Sequence, residues 1–493
     1  MNWFRLGNML VLVILVAGNG VLLGADRPNI LLIVSEDNGP ALGCYGNTSV
    51  TTPVLDRLAA EGIRFSRAYV PQAGCSQSRA AYLTGLYPHQ NGQIGLATWK
   101  FRLYDRETPN LVRSLKTAGY RTGIIGKLHV NPASAFPFDF SAQPNANFGR
   151  KALEQHAIEG RRFIDASEKP FFLSVNYPDA HRPFLPAVDG LPEIPLTGDD
   201  VEPLTYMGLD TPQLRQQTAD YYNCMTRLDA LIGELLRSLD QSGKAGNTLV
   251  IYLGDHGADL LRGKRTSYEG GLRVPMILKW PTAFDDRFRG RVVDALVSSL
   301  DIMPTLLQLA DAPSIPGLAG RSLFPLIETE GGDWRRYLFT EYHLHSAHNY
   351  YPQRTVRDER YKLIWNLLPG EINPGFAFTN TKFFEGLEHV IERAPRDIRL
   401  AYERMRRPAE FELYDLESDP FEFRDLSKSV EHSAIAARLK RRLREWRYET
   451  ADPFLDQSNL RRLQAEVNAC FKNGQASKAD LTLDYPRYFF DQP

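Results

Sequence analysis

Four short polar clusters in this chain combine residue types that can do chemistry: Glu36-Asp37, Lys127 with His129, Asp179 with His181, and Asp255-His256. Carboxylates from two distant segments, Glu36/Asp37 and Asp255, beside the imidazole of His256, make an oxygen-rich donor set. Such a set suits a hard divalent cation, Ca²⁺ or Mg²⁺, better than zinc. Arg79, Lys127 and Lys264 are cations able to hold an anionic group. Histidine as a type titrates near neutrality, so His129 and His181 can carry a proton to or from a reacting atom. Metal, cations and proton carriers together suit hydrolysis of a phosphate or sulfate ester. The missing nucleophile is offered by Cys75, in the run Gly74-Cys75-Ser76-Gln77-Ser78-Arg79-Ala80-Ala81-Tyr82-Leu83-Thr84-Gly85. A cysteine opening a helix sits where the positive end of the helix dipole stabilises an anion. Each residue alone has a plainer reading, as a solvated lysine, a packing histidine or an inert buried thiol. Their convergence is what points to a site.

The elements that must position them are legible. Short apolar runs alternate with amphipathic segments after Pro28, the pattern of an α/β domain with a mainly parallel sheet. Strands are expected at Asn29–Val34, Arg121–Ile125, Pro170–Asn176, Thr248–Leu253 and Val274–Leu278. Thr52-Pro53 and Thr108-Pro109 read as N-cap and first residue of helices, stopped by Gly62 and Gly119. Thr211-Pro212 opens a long helix whose Tyr221, Met225, Leu228, Ile232, Leu235 and Leu239 form an apolar stripe for packing across the sheet. All four polar clusters fall just past the carboxyl ends of expected strands, where open α/β sheets place their sites. From about Tyr350 the texture changes. Tyr361–Trp365 and Glu412–Asp415 alternate as strands of a small antiparallel sheet do, and a basic helix, Arg438–Arg447, packs Leu439, Leu443 and Trp446. Its arginines read as a solvated face in preference to a grip on a sulfated polymer.

Arg5, the apolar run Met9–Ala17 and the small residues Gly18, Gly20, Gly24 and Ala25 read as a secretory signal over residues 1–25, in preference to an uncleaved anchor. The expected mature organisation is a catalytic domain, 26–349, and a C-terminal α+β subdomain, 350–493, exported and without stable membrane insertion. The 493 residues carry 58 Lys+Arg against 59 Asp+Glu. A net charge of −1 removes the reason to expect bulk binding to nucleic acid or an acidic membrane, but leaves room for a cationic pocket. Four cysteines, Cys44, Cys75, Cys224 and Cys470, are no disulfide framework in a chain of this length. An oligomer stays open.

The Cys75 run resembles the signature of the type I sulfatases, Cys-x-Pro-Ser-Arg followed by an apolar helix and Thr-Gly. Asp255-His256-Gly257, Lys264 and Tyr268–Pro275 are similar to the family's second metal-ligand stretch and sulfate-binding lysine, and Glu412–Leu416 with Asp419-Pro420 to its C-terminal strand motif. The runs His89–Gly92, Arg121–Lys127, Phe136–Phe140 and Glu449–Pro453 look closest to its N-sulfoglucosamine sulfohydrolase (sulfamidase) branch.

The resemblance implies an alkaline-phosphatase-like fold: a mixed, mostly parallel sheet sandwiched by helices, plus a smaller C-terminal antiparallel sheet. It implies one Ca²⁺ held by Glu36, Asp37, Cys75, Asp255 and His256, and oxidation of Cys75 to formylglycine (3-oxoalanine) by a formylglycine-generating maturase. Arg79 would steady the formylglycine, Lys127 and Lys264 would offset charge on the sulfuryl group, His181 would protonate the leaving group and His129 would deprotonate the remaining hydroxyl. Lys127, His181, Lys264 and Asp179 would bind the substrate, a sulfated saccharide, with N-sulfated glucosamine the leading expectation. An O-sulfatase or arylsulfatase is the alternative within the family. Two departures stand out: Glu36 replaces the first Asp of an Asp-Asp pair, and Gln77 replaces the signature proline. The second keeps open a catalytically silent, glycan-binding relative.

Overall fold

The computed structural model describes residues 27–281, 287–328, 333–379 and 386–489; the expected signal segment, 1–25, lies outside the described residues. The main sheet is built around β1 (Asn29–Ser35), an unbroken apolar run because both of its faces are covered. Ile30, Leu32 and Val34 pack into one hydrophobic core and Leu31 and Ile33 into another on the opposite face, the two-sided burial of a central parallel strand. The other strands are β2 (Ile63–Tyr69), β3 (Arg121–Gly126), β4 (Phe140–Ala142), β5 (Phe171–Tyr177), β6 (Thr248–Gly254), β7 (Arg273–Lys279), β8 (Arg291–Val293) and β9 (Val297–Ser298). Their order is β4-β3-β5-β1-β6-β7-β2-β8, with β9 beside β2. From β4 to β6 every pairing is parallel; β7 runs antiparallel to both β6 and β2.

The four strands that end in polar clusters, β3, β5, β1 and β6, are therefore consecutive and parallel, and they deliver Lys127, Asp179, Glu36 and Asp255 to one edge. Helix Pro212–Gln241 lies on the Leu31 face with Tyr221, Met225, Leu228, Ile232, Leu235 and Leu239 buried, and Thr211 caps it by accepting from the Leu214 N–H.

Two helix starts differ in detail from expectation. The Thr52 hydroxyl makes no cap to helix Pro53–Ala60; it accepts from the Gly43 N–H and donates to Asp56. The helix expected at Thr108-Pro109 starts at Leu111, capped by Asn110, which accepts from Arg113 N–H. Asn110 wins because its amide also donates to the Ala135 carbonyl, whereas Thr108 is spent on Asp105.

The second sheet is antiparallel: β10 (Leu338–Tyr342), β11 (Gln353–Arg357), β12 (Tyr361–Asn366) and β13 (Phe411–Asp415). It begins at Leu338, ahead of the change in texture near Tyr350. Helix Ser433–Glu449 covers it with Leu439, Leu443 and Trp446, the last stacked on Phe339 at 5.1 Å. Three of its arginines are engaged within the chain: Arg438 with Asp358, Arg442 with Glu445 and Glu449, Arg447 with Asp452. The two sheets are tied by Glu269, which pairs with Arg357 and Lys362 on the second sheet. Among the described residues no helix is long and apolar enough to cross a membrane.

Candidate functional site

Cys75 is the first residue of helix Cys75–Thr84, buried along its whole length. Around its thiol the strand-end clusters close in. Sγ lies 3.3 Å from His256 Nε2 and 4.0 Å from Asp37 Oδ1. Glu36 spans two cations, accepting from Arg79 Nη2 at 2.5 Å and from Lys127 Nζ at 2.7 Å. Asp37 accepts from Lys264 Nζ at 2.9 Å through both oxygens. Arg79 also reaches Asp255 at 3.2 Å and donates to Asn176 and to the Lys127 carbonyl.

The loops that carry these groups approach one another closely. A Cβ on Gly254 would lie 2.1 Å from the Asn38 carbonyl oxygen, and one on Gly126 the same distance from that of Asn176. Those glycines let the strand ends approach side by side. The backbone of Glu36 is locked to the next strand end by exchange of bonds with Asp179 and Ala180.

Three carboxylates, Glu36, Asp37 and Asp255, thus face three permanent cations, Arg79, Lys127 and Lys264. Burial would raise Glu36, yet Lys127, Arg79 and His181 hold it well below the usual carboxylate range. Asp37 is lowered too, its burial outweighed by Lys264, His181 and His256. Asp255 is the exception, pushed up to about 7 by burial and by the nearby Glu36. Against its burial, His256 is raised to about 9 by Asp255 and Asp37.

The donor atoms fit a divalent cation. His256 donates Nδ1–H to the Gly257 carbonyl, so Nε2 faces the carboxylates at 3.3 Å from Asp37 and 3.7 Å from Asp255, the orientation that second-shell bonding gives a ligating imidazole. Asp255 Oδ2 is buried without a hydrogen bond. Ligand atoms of Glu36, Asp37, Cys75 and His181 form one group within 4.8 Å of each other, and those of Cys75, Asp255 and His256 form a second that shares the thiol.

Both expected proton carriers are near. His181 stacks on Phe148 at 3.9 Å and donates Nδ1–H to the Arg182 carbonyl, which leaves Nε2 for the site. The ring nitrogens of His129 are buried with no partner, and burial, aided by Lys127, holds the ring well below the usual histidine range. The thiol of Cys75, which burial would raise, is pulled down to about 6 by Lys127 and Lys264.

Asp179 does not join them. Its carboxylate is taken up by Arg227, at 2.8 Å, and Arg150, at 3.0 Å. It is fully buried, and through Arg150, which also bonds the His181 carbonyl, it fastens the loop that carries His181. Sequence reasoning missed Asn176, Phe148 and Arg150. An asparagine inside the apolar run of β5 was the one available signal; the others arrive from loops without periodicity. A cleft of about 1060 Å³, lined by Tyr45, Tyr69, Tyr221 and Arg273, includes none of these residues. Chemistry locates the site, not the size of a hollow.

Comparison with known proteins agrees with the geometry. Residues 28–312 match the family model described as Sulfatase. Human N-sulphoglucosamine sulphohydrolase is 33% identical over 471 residues, 87% of this chain and 92% of that protein. An ulvan-active sulfatase of Formosa agariphila is 27% identical over 86% of this chain and 80% of its own. Among solved structures, that of BT4656 in complex with its substrate D-glucosamine-2-N,6-O-disulfate superposes with a TM-score of 0.64 at 21% identity, covering 87% of this chain and 99% of the other. The fold is the expected alkaline-phosphatase-like one, with its small C-terminal antiparallel sheet. The chain belongs to the sulfatase family, hydrolases of sulfate esters and sulfamates.

Proposed function

We propose that this sulfatase removes the N-sulfate of a glucosamine residue at the non-reducing end of a glycan, in an exported form matured at Cys75. The observation that carries the reading is the field at Cys75: a fully buried thiol pulled down to about 6 by Lys127 and Lys264. A position that favours negative charge despite burial is preorganised for the anionic oxygens of a sulfuryl group in transfer. The similarity to N-sulphoglucosamine sulphohydrolase along most of both chains supports the choice of N-sulfate.

Formylglycine in place of Cys75 would supply, as its hydrate, the attacking oxygen. A calcium ion, held by Glu36, Asp37, residue 75, Asp255 and His256, would supply Lewis-acid polarisation and offset the carboxylates. The chain's own groups do the rest. Lys127 and Lys264 hold sulfuryl oxygens. Arg79 keeps Glu36 and Asp255 in place through its buried bonds. His181, in its imidazolium form, delivers a proton from Nε2 to the departing nitrogen, its other nitrogen being fixed on the Arg182 carbonyl; burial opposes that form and the charges of Asp37 and Glu36 favour it. His129, kept neutral by burial and Lys127, is ready to accept a proton.

The test is sulfate release from glucosamine N-sulfate and glucosamine 6-O-sulfate, with mass spectrometry of the Cys75 peptide. Release from the N-sulfate, lost in Cys75→Ala, with formylglycine at position 75, is the expected result. Faster release from the 6-O-sulfate would overturn the substrate, and an unmodified thiol in protein from its native host would overturn the mechanism.

A further inference from the structure

Gln77 replaces the family's signature proline, and its surroundings give it a task. Its Nε2 donates to the Leu344 carbonyl at 2.7 Å and the Ile94 carbonyl at 3.3 Å. Gln72 addresses the same two carbonyls at 3.0 and 3.4 Å. Two amides thus clamp segments 94–96 and 343–345 against the start of the nucleophile helix, where Ile94, Leu96, Leu344 and Ala347 pack in one cluster with Cys75. Gln77 holds this position although its Oε1 is buried without a partner and lies so near Gly74 that a Cβ there would stand 2.7 Å away. A proline at the third helical residue would cost little, since first-turn N–H groups lack helical partners, but it has no donor for Leu344.

The residue held by the clamp is His345. Its N–H donates to Asn349 at 2.9 Å and its carbonyl accepts from Leu96 N–H at 2.9 Å, so the backbone is fixed on both sides. The side chain is only 9% exposed, and its Nε2 is buried with no hydrogen-bond partner. His345 follows Leu344 and bonds Leu96, both packed in the cluster that contains Cys75, while the Lys264 segment meets the start of the same helix through Arg265 N–H, which donates to the Ala73 carbonyl. Burial and the charges of Lys264 and Arg265 keep the ring well below the usual histidine range, hence neutral. Leaving a polar atom buried without a partner is costly, and a substrate group removes that cost.

We propose that His345 is a further substrate-contacting residue, which hydrogen-bonds the uncharged N–H or O–H groups of the sugar beside the sulfuryl group, and that Gln77 is the residue that positions it. This rests on the sulfatase site as described, and it accounts for a glutamine where the family pattern has proline.

The experiment compares His345→Ala, His345→Gln, Gln77→Ala and Gln77→Pro with the wild type, with calcium present and rates expressed per formylglycine measured by mass spectrometry. On glucosamine N-sulfate, His345→Ala should lower kcat/KM about tenfold or more, carried mainly by KM, with partial recovery in His345→Gln. Gln77→Ala and Gln77→Pro should both raise KM, the proline variant included, because it restores the signature but not the donor. In a Cys75→Ala background, calorimetry with the same sugar should show binding weakened about fivefold or more by His345→Ala. That arm reads the contact without turnover, so a wild type that binds the sugar but releases no sulfate would refute the hydrolytic reading alone. A His345→Ala protein with kcat/KM and affinity within about twofold of wild type would overturn the contact, as would a Cys75→Ala protein that does not bind glucosamine N-sulfate. Unchanged KM in both Gln77 variants would overturn the positioning role. Should His345→Ala fail to fold, His345→Gln carries the comparison, and wild-type values there overturn it.

Discussion

At the residue scale the site is a balance of charges with almost no slack. Lys264 serves two masters, the Asp37 carboxylate in the protein and, in the proposed reaction, a sulfuryl oxygen. Lys264→Met should therefore reduce kcat for sulfate release by about 10²–10³-fold, the usual cost of removing one preorganised stabilising group. The same change frees Asp37, so affinity for calcium, measured by titration calorimetry, should hold or rise. Asp179→Asn tests a different claim. It leaves Arg227 and Arg150 buried beside a neutral amide, and urea unfolding should show a loss of about 3–5 kcal/mol, with catalysis affected only through the His181 loop. Which residues would meet was legible because carboxylates, lysines and histidines directly follow apolar strands. Which way each one points was not. Asp179 and His181 are two residues apart, yet one turns to buried arginines and the other to the site. Arg150 carries no such marker, for it is held at the site by Asp179 and the His181 carbonyl, contacts distant in sequence.

At the element scale the decisive fact is that β3, β5, β1 and β6 lie side by side and parallel. Apolar runs disclosed the strands. Their order came only from packing, as did the reversal of β7, because no residue within a strand records its neighbour. Helix starts show the same limit: the local signal at Thr108 was sound, but Asn110 could cap and also hold Ala135, which no local rule foresees. The touching loop ends give a sharp test. Gly254→Ala must push the Asp255 loop away from Asn38. Calcium affinity measured by calorimetry should fall at least tenfold, by separation of Asp255 from Asp37, while far-UV circular dichroism keeps the sheet's signature.

At the scale of the whole molecule, the second sheet is anchored by a buried charge network. Glu341 receives His89 at 2.5 Å, and Asp452 receives Arg354 and Arg447. Glu341, raised by burial but lowered more by His89, His343 and Arg354, ends at about 2. A carboxylate lowered on folding contributes stability that is full above its unfolded value, near 4.3, and is lost as pH falls through the folded value. This one is worth on the order of 3 kcal/mol. Denaturant titrations between about pH 5 and 2 should show that loss in the wild type and a flatter profile in Glu341→Gln, which starts less stable. The burial of Cys75, with 2% of its surface exposed on a helix with no exposed residue, has its own consequence for biosynthesis. In the proposed maturation, an enzyme that oxidises this thiol would have no access once the chain has closed, so maturation and folding would compete in time. Protein folded with its cysteine intact should stay unmodified when offered the maturase, whereas the same chain held unfolded should be converted. Under that proposal the folding rate would set what fraction of each batch becomes active, and a slower folder would yield the better enzyme.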